Sequence, residues 1–479
     1  MYRAPVEEIR FLLEHVTGFE QVIAANTASG LDQDTVGALI EQAGQICDAT
    51  LAPLQRPGDL EPPRLENGIV RCAPGYREGY RTIAENGWIG ISADPEYGGM
   101  GLPRTLGSVL HDMMSGACVS LQLNPLLTQG QIHALEAHAS DEIKALYLPK
   151  LITGDWAGTM NLTEPEAGSD VGALRAKAQA NSDGTYAITG QKIYISWGDS
   201  DLTENICHLV LARLPDAPEG TKGISLFLVP KIIPNPDGSL GEPNAVRVVS
   251  LEHKLGLHGS PTAVMEYENA TGWLIGPEGG GMAAMFTMMN DARLNVGLEG
   301  VGVAEAACQQ AVAFATDRVQ GRTNGPRGTI LEHADVRRML ATMRARIFAA
   351  RAIAFSCATA FDMADVTKDA AWAAKGAFLT PIAKAFGTET GMAVSDMGIQ
   401  VHGGMGVIEE TGAAQFSRDV RVIAIYEGTN GIQSMDLVSR KLQDDGETAF
   451  ALLEEIHTCL LYTSPSPRDR TRSRMPSSA

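Results

Sequence analysis

The sequence predicts an α+β multidomain fold, with a helical N-terminal domain, a middle β-barrel or sandwich, and a C-terminal helical bundle. Three observations carry this. Apolar residues recur at helical spacing up to about residue 157. After Gly158 the apolar runs become short, β-branched and partly alternating, with turn residues between them. From Gly279 the helical period returns in Ala-rich runs with few breakers. The divisions are therefore 1–157, 158–278 and 279–457, followed by an unlike tail at 458–479. At roughly 100–200 residues per domain, 479 residues suffice for two to four domains with real cores.

In chain order, EEIRFLLEHV places Ile9, Phe11, Leu12 and Val16 near one helix face. DQDTVGALIEQAGQIC and the segment from Leu106 to Ala139 carry similar spacing. LQRPGDLEPP and ADPEYGGMGLP read as helix connections, the second long enough for a functional loop. TYAITGQKIYISW, HLVLARL, GISLFLVP, AVRVVSL and AVMEYEN read as strands, with NSDGTY and PNPDGSLG as turns. MFTMMNDARLNVGLEGVGVAEAACQQAVAFATDR and DVRRMLATMRARIFAARAIAFSCATAFDMA are long helices. A further one lies in GAFLTPIAKAFGTETGMAVSDMGIQVHGG, with Pro381 close to its start.

Composition excludes several classes. Lys and Arg total 38 against 57 Asp and Glu, a net −19, which disfavours nucleic acid and anionic membranes. No run approaches the roughly 18 apolar residues of a membrane span, and MYRAPVEEIR is not a secretory signal. Cys47, Cys72, Cys118, Cys207, Cys308, Cys357 and Cys459 stand singly, so a disulfide framework is not expected and a reducing cytoplasm is. His253 and His258 lack partners at zinc-ligand spacing, so no metal is expected. The tail from Thr458 has four Arg and one Asp and no hydrophobic period, so residues 1–457 carry −22. CLLYTSPSPRDRTRSRMPSSA reads as translated adapter sequence joined to a truncated gene; the alternative is a disordered basic tail.

Three segments are dense in Gly, hydroxyls and acids. NLTEPEAGSDVGAL (Asn161–Leu174) offers hydroxyls and N–H groups for a polar ring or phosphate, or is a loop in which Asp170 caps the next element. In GQKIYISWG, Tyr194, Ser196 and Trp197 are either core or flank a flat cofactor. In MMNDARLNVG, Asn290, Asp291 and Arg293 fall in the first turns of a helix, as a capping cluster reads, while Met282, Met285 and Met289 read as core. In GIQVHGGMGVIEETGAAQFSRDVRVIAIYEGTNGIQ, Glu427 follows an apolar run, where poor solvation makes a carboxylate a better base. The alternative is that Glu427 caps the next helix with Thr429 or Asn430, and His402 is either a proton relay or a packed loop residue.

Taken together, EYGGMGLP, LTEPEAGSD, GQKIYISWG, MNDARL, QVHGGMG and IYEGTNGIQ resemble the acyl-CoA dehydrogenase family over nearly all of residues 1–457. EHKLGLHGSPTAVM, MFTMMNDARL and DRVQGR look like its 3-methylmercaptopropionyl-CoA dehydrogenase-like subgroup, in which a further C-terminal helical region follows. The resemblance implies a helical domain, a β-barrel and a four-helix bundle. It also implies noncovalent FAD, an acyl-CoA substrate, an electron-transfer flavoprotein as acceptor, and a homodimer or homotetramer in the cytoplasm. Leu162, Thr163, Gly168 and Ser169 would line the isoalloxazine or the thioester. Tyr194, Ile195 and Ser196 match the second flavin segment, where the family often has Trp and Thr at the outer positions. Arg318, Gln400, Gly403 and Gly404 match the ADP-binding segments, Thr429 and Asn430 match flavin contacts, and Ser169, Asn290, Arg293 and Gly428 match substrate contacts. Glu427 matches the base that takes the Cα proton on the way to a trans-2-enoyl-CoA. An acyl-CoA oxidase and a catalytically idle flavoprotein are the alternatives, and loss of the further helical region would expose apolar surface.

Overall fold

The computed structural model describes residues 2–26, 30–323 and 325–462. The N-terminal part holds helices α1 (Val6–His15), α2 (Phe19–Ala25), α3 (Gln33–Ile46), α4 (Gln55–Leu60), α5 (Tyr76–Glu85), α6 (Arg104–His138) and α7 (Asp141–Ile152), with a hairpin of β1 (Arg64–Glu66) and β2 (Ile69–Arg71). Asp32 starts α3 by accepting the Thr35 N–H at 2.8 Å, a side-chain N-cap. On α1 the buried face is Ile9, Leu12 and Leu13, whereas Phe11 and Val16 are exposed. Positions 9, 12 and 13 keep the i, i+3, i+4 spacing that 11 breaks, and Val16 lies past the end of the helix, so the expected face is corrected to that set. The LQRPGDLEPP stretch, expected as a connection, contains the short helix α4. Helix α6 is nearly all buried and bends at Cys118, whose φ and ψ of −156° and 82° interrupt it.

The middle part contains β3 (Trp156–Asn161), β4 (Lys177–Ala180), β5 (Tyr186–Ser196), β6 (Asn205–Arg213), β7 (Ile224–Pro230), β8 (Ile232–Pro234), β9 (Leu240–Pro243), β10 (Val246–Leu251) and β11 (Thr262–Ile275). Strand pairing closes on itself as β11–β5–β4–β6–β7–β11, so a ring of five strands encloses an apolar core around Ile188, Val210, Phe227 and Ala270. Strand β3 lies outside the ring, parallel to β6, and packs on α6. Nothing in its composition (WAGTMN) marks it as a strand, because it is buried almost throughout and does not alternate.

The C-terminal part is built on α8 (Gly281–Asp317), α9 (Ala334–Thr367) and α10 (Ala370–His402), with α11 (Ala413–Val420), α12 (Asn430–Asp436) and α13 (Glu447–Tyr462) following. Asp369 caps α10 through the Ala371 N–H at 2.9 Å. Pro381 therefore lies deep inside α10 and not near its start, and the Ala-rich residues before it extend the helix. Helix α9 has an 18-residue window of mean hydropathy 1.4 with the length and composition of a membrane span. Here it packs between α8 and α10 and carries the fully buried Arg351, which pairs with Asp112 at 2.5 Å. Helix α13 continues through Thr458 to Tyr462; residues 463–479, where most of the unlike tail falls, lie outside the described residues.

Helices α8 and α10 touch backbone to backbone. A Cβ added at Gly387 would stand 2.3 Å from the Gly297 carbonyl oxygen, and one at Gly300 would stand 2.3 Å from the Gly387 oxygen. Glycine is required at both crossings because no other side chain fits. This close approach sets the floor on which the Glu427 turn rests.

Candidate active site

Residues Glu427 and Gly428 both adopt left-handed backbone, with φ of +54° and +83°. A non-glycine residue there costs on the order of 1 kcal/mol, so the surroundings must enforce it. They do so from several sides. Tyr426 donates its hydroxyl to Glu299 Oε2 on α8. Lys384 Nζ on α10 donates to the Gly428 carbonyl at 3.0 Å and to Asn430 Oδ1 at 3.2 Å. Gln433 Nε2 donates to the same Gly428 carbonyl at 3.0 Å. Thr429, not Glu427, caps α12, accepting the Ile432 N–H at 3.2 Å. Glu427 is thus released from any capping duty.

The Glu427 Oε2 atom is out of solvent and has no hydrogen-bond partner among the described residues. Burial pushes its carboxyl up to about 7, even though Arg293 and Lys384 pull the other way. A carboxyl of that strength, with one oxygen out of water and unpartnered, is suited to taking a proton from a weak carbon acid near neutrality. Arg293 is 5% exposed, pairs with Asp436 at 3.5 Å and lies over Phe286. Its Nη2 would be 3.6 Å from a Cβ on Gly428, so Arg293 and Gly428 are neighbours.

Asn290, Asp291 and Arg293 lie in the third and fourth turns of α8, because the helix starts at Gly281; the capping reading is corrected accordingly. Asn290 is exposed, whereas Asp291 faces α6, bonding Arg104 at 2.9 Å and His133 at 2.5 Å. Burial opposes its ionisation, but Arg104 and His133 hold its carboxyl down to about 2. Met285 and Met289 are core.

A second group gathers on the barrel. The Thr163 carbonyl accepts the Ile193 N–H at 2.9 Å, and the Leu162 carbonyl accepts Lys192 Nζ at 3.0 Å. The fully buried Lys192 also pairs with Glu164 at 2.8 Å, and Glu164 accepts the Arg175 and Ala176 N–H groups. The loop from Leu162 to Ser169 is thereby tied to β5, with Gly168 and Ser169 left exposed at its end. Tyr194 is 62% exposed and left-handed (φ +59°), Ile195 is buried and Ser196 intermediate. Trp197 is core, bonded to the Ser120 carbonyl at 3.3 Å.

A third group lies where α8 and α10 end. Arg318, Gln400, Gly403 and Gly404 are exposed, and His402 is packed on Phe314 at 4.4 Å with Nδ1 on the Gly398 carbonyl at 2.7 Å, not free for relay. A Cβ at Gly403 or Gly404 would meet nothing within 4 Å, and Arg318 has no carboxylate partner among the described residues. These groups fit FAD: an open glycine surface with a free guanidinium for a diphosphate, and a braced hydroxyl-bearing loop with an exposed aromatic for a flat ring.

Sequence reasoning passed over Lys192, Glu299, Lys384, Gln433 and Asp436. Two of them were detectable, since Glu299 in VGLEGVGV and Lys384 in FLTPIAKAF are lone charges in otherwise apolar helical runs.

Family comparisons agree along the chain. The "Acyl-CoA dehydrogenase, N-terminal domain" matches residues 37–155, the middle domain 159–270 and the C-terminal domain 279–442. The chain is 49% identical over 463 residues to the 3-methylmercaptopropionyl-CoA dehydrogenase of Ruegeria pomeroyi, covering 95% of this chain and 79% of that protein. Its fold matches butyryl-CoA dehydrogenase from Megasphaera elsdenii, with TM-score 0.71 at 24% identity over 85% of this chain and 98% of the other. It also matches a chain described under the electron transferring flavoprotein of Acidaminococcus fermentans, with TM-score 0.71 at 24% identity over 86% and 99%. With three domains matched in order and a carboxylate oxygen buried without a partner on the Glu427 turn, the chain belongs to the acyl-CoA dehydrogenase family.

Proposed function

We propose that this enzyme converts a short acyl-CoA thioester, 3-methylmercaptopropionyl-CoA, to the trans-2-enoyl-CoA, with Glu427 as the base. The observation that carries the reading is the carboxylate oxygen of Glu427, unpartnered and out of solvent on its braced turn. FAD is the cofactor. The substrate choice rests on 49% identity to the Ruegeria pomeroyi enzyme of that name.

Glu427 takes the Cα proton, which leaves the electron pair to form the Cα=Cβ bond as hydrogen departs from Cβ. When bound, FAD supplies the two-electron acceptor for that second hydrogen. Arg293 keeps a positive charge beside Glu427 and Gly428, and with Asn290 and Ser169 it contacts the thioester's CoA portion. Leu162, Thr163, Gly168, Ser169, Tyr194, Ile195 and Ser196 hold the isoalloxazine, with Thr429 and Asn430. Arg318, Gln400, Gly403 and Gly404 hold the ADP half, where a free guanidinium pairs with phosphate oxygens. An electron-transfer flavoprotein receives the electrons, and the working form is a cytoplasmic homodimer or homotetramer.

Anaerobic mixing of the FAD-loaded chain with a panel of acyl-CoA thioesters tests this. The methylthiopropionyl thioester should bleach the flavin fastest, and Glu427→Gln should stay yellow with bleaching slowed roughly 1,000-fold, the scale of a lost general base. Faster bleaching by another chain length would reassign the substrate; rapid bleaching in Glu427→Gln would move the base elsewhere.

A further inference from the structure

Glu299 and Lys384 are both fully buried, and charged side chains are rarely buried so completely unless paired. Neither has an ion-pair partner among the described residues. Glu299 Oε1 is unpartnered, and its other oxygen accepts only the Tyr426 hydroxyl. Lys384 bonds to neutral oxygens, the Gly428 carbonyl and Asn430 Oδ1. Burying an unneutralised charge costs several kcal/mol. The fold nevertheless keeps two ionisable side chains without a countercharge, on facing helices that meet at Gly297 and Gly387, and each grips a residue adjoining Glu427 in sequence.

We propose that Glu299 and Lys384 are positioning residues for the candidate base: through Tyr426 on one side and Gly428 on the other, they hold Glu427 in its left-handed turn, and Lys384 sets how tightly it keeps its proton. The proposal rests on Glu427 being the base. The charged and titratable groups around Glu427 are Arg293 and Glu299 from α8, Lys384 from α10, its own neighbour Tyr426, and, behind Arg293, Asp436 and Arg440. Burial raises Glu299 to about 8, with Glu427 adding to the rise, and burial lowers Lys384 to about 8. Both therefore stay protonated while Glu427 titrates near 7, so Lys384 is a cation there and Glu299 is neutral. The Lys384 cation favours the Glu427 carboxylate, and Glu299 acts through its bond from the Tyr426 hydroxyl.

The test uses the FAD-loaded full chain with Lys384→Met, Lys384→Arg, Glu299→Gln and Tyr426→Phe, each near-isosteric and each checked for bound FAD. Infrared difference titration follows the protonated carboxyl band of Glu427, assigned by its absence in Glu427→Gln. Anaerobic stopped flow follows bleaching against substrate concentration and pH. Lys384→Met should move the Glu427 midpoint up by about one pH unit, the size expected for one nearby charge in a partly buried site, and Glu299→Gln should leave it in place. Lys384→Arg should restore it. Tyr426→Phe should reproduce the loss in limiting rate of Glu299→Gln, about tenfold with half-saturation unchanged, as slight misplacement of a base produces. The double variant should lose no more.

In variants that retain FAD, an unmoved midpoint in Lys384→Met or an unchanged limiting rate in Glu299→Gln and Tyr426→Phe overturns the proposal. If Lys384→Met does not retain FAD, the Glu299→Gln and Tyr426→Phe arms decide alone. Bleaching that persists in Glu427→Gln instead refutes the base assignment, a separate failure read in the same experiment.

Discussion

Glu427 combines features that each cost stability alone: a left-handed backbone on a non-glycine residue and a carboxylate oxygen without solvent or partner. Their pairing is useful only for a group that must wait for a proton to arrive. The acid–base consequence is direct. Burial raises its carboxyl to about 7, so below that pH it is protonated and cannot act as a base. The bleaching rate should climb about tenfold per unit of pH below 7 and level off above it, which stopped-flow measurement across pH 5.5–8.5 reads, those bounds being about 1.5 units either side of the midpoint. A flat profile would show that another group takes the proton. The acid after IAIY was legible as a base in poor solvent. The φ of Glu427 and its support by Tyr426, Gly428 and Gln433 were not, because those contacts come from α8, α10 and α12.

At the scale of elements, the site depends on how closely α8 approaches α10. Gly297 and Gly387 let the two backbones meet, which places Arg293 and Glu299 opposite Lys384 beneath the turn. Gly387→Ala would put a methyl group 2.3 Å from the Gly297 oxygen, so the helices must separate. Chemical denaturation should show a loss of about 1–3 kcal/mol, in the range for overpacked cores. A loss under about 0.5 kcal/mol, the level of an ordinary surface change, would mean that the helices can part freely. Helical period revealed α8 and α9 from the sequence, and alternation revealed β5 to β7. Period alone could not show that α10 begins eleven residues before Pro381 or that WAGTMN is a strand; capping by Asp369 and pairing with β6 decide those.

For the whole molecule, one ionic knot joins all three parts. Asp59 on α4 accepts Arg418 of α11 at 2.8 and 2.6 Å and lies 2.8 Å from His258 in the segment between β10 and β11. Burial works against the Asp59 carboxylate, but Arg418 and His258 together depress its proton affinity below the usual value. A depressed carboxyl contributes stability that is present above its unfolded value, about 4, and is lost as pH falls through the folded one. Asp59→Asn should therefore lower stability at neutral pH by about 2–3 kcal/mol, less than for a fully buried pair because Arg418 is partly exposed. It should also flatten the acid limb of a thermal-denaturation series; an unaltered limb would contradict the knot's role. No motif signalled this junction, since His258 stood among residues weighed for metal and Asp59 in a presumed connection.

The central claim is that Glu427 removes the Cα proton. An acyl-CoA thioester with no hydrogen on Cβ isolates that step, since it can lose and regain its Cα proton but cannot be oxidised. In deuterated water, mass spectrometry should show the FAD-loaded chain exchanging the Cα hydrogen, and Glu427→Gln with equal FAD content failing to do so. Equal exchange in the two proteins would contradict the assignment.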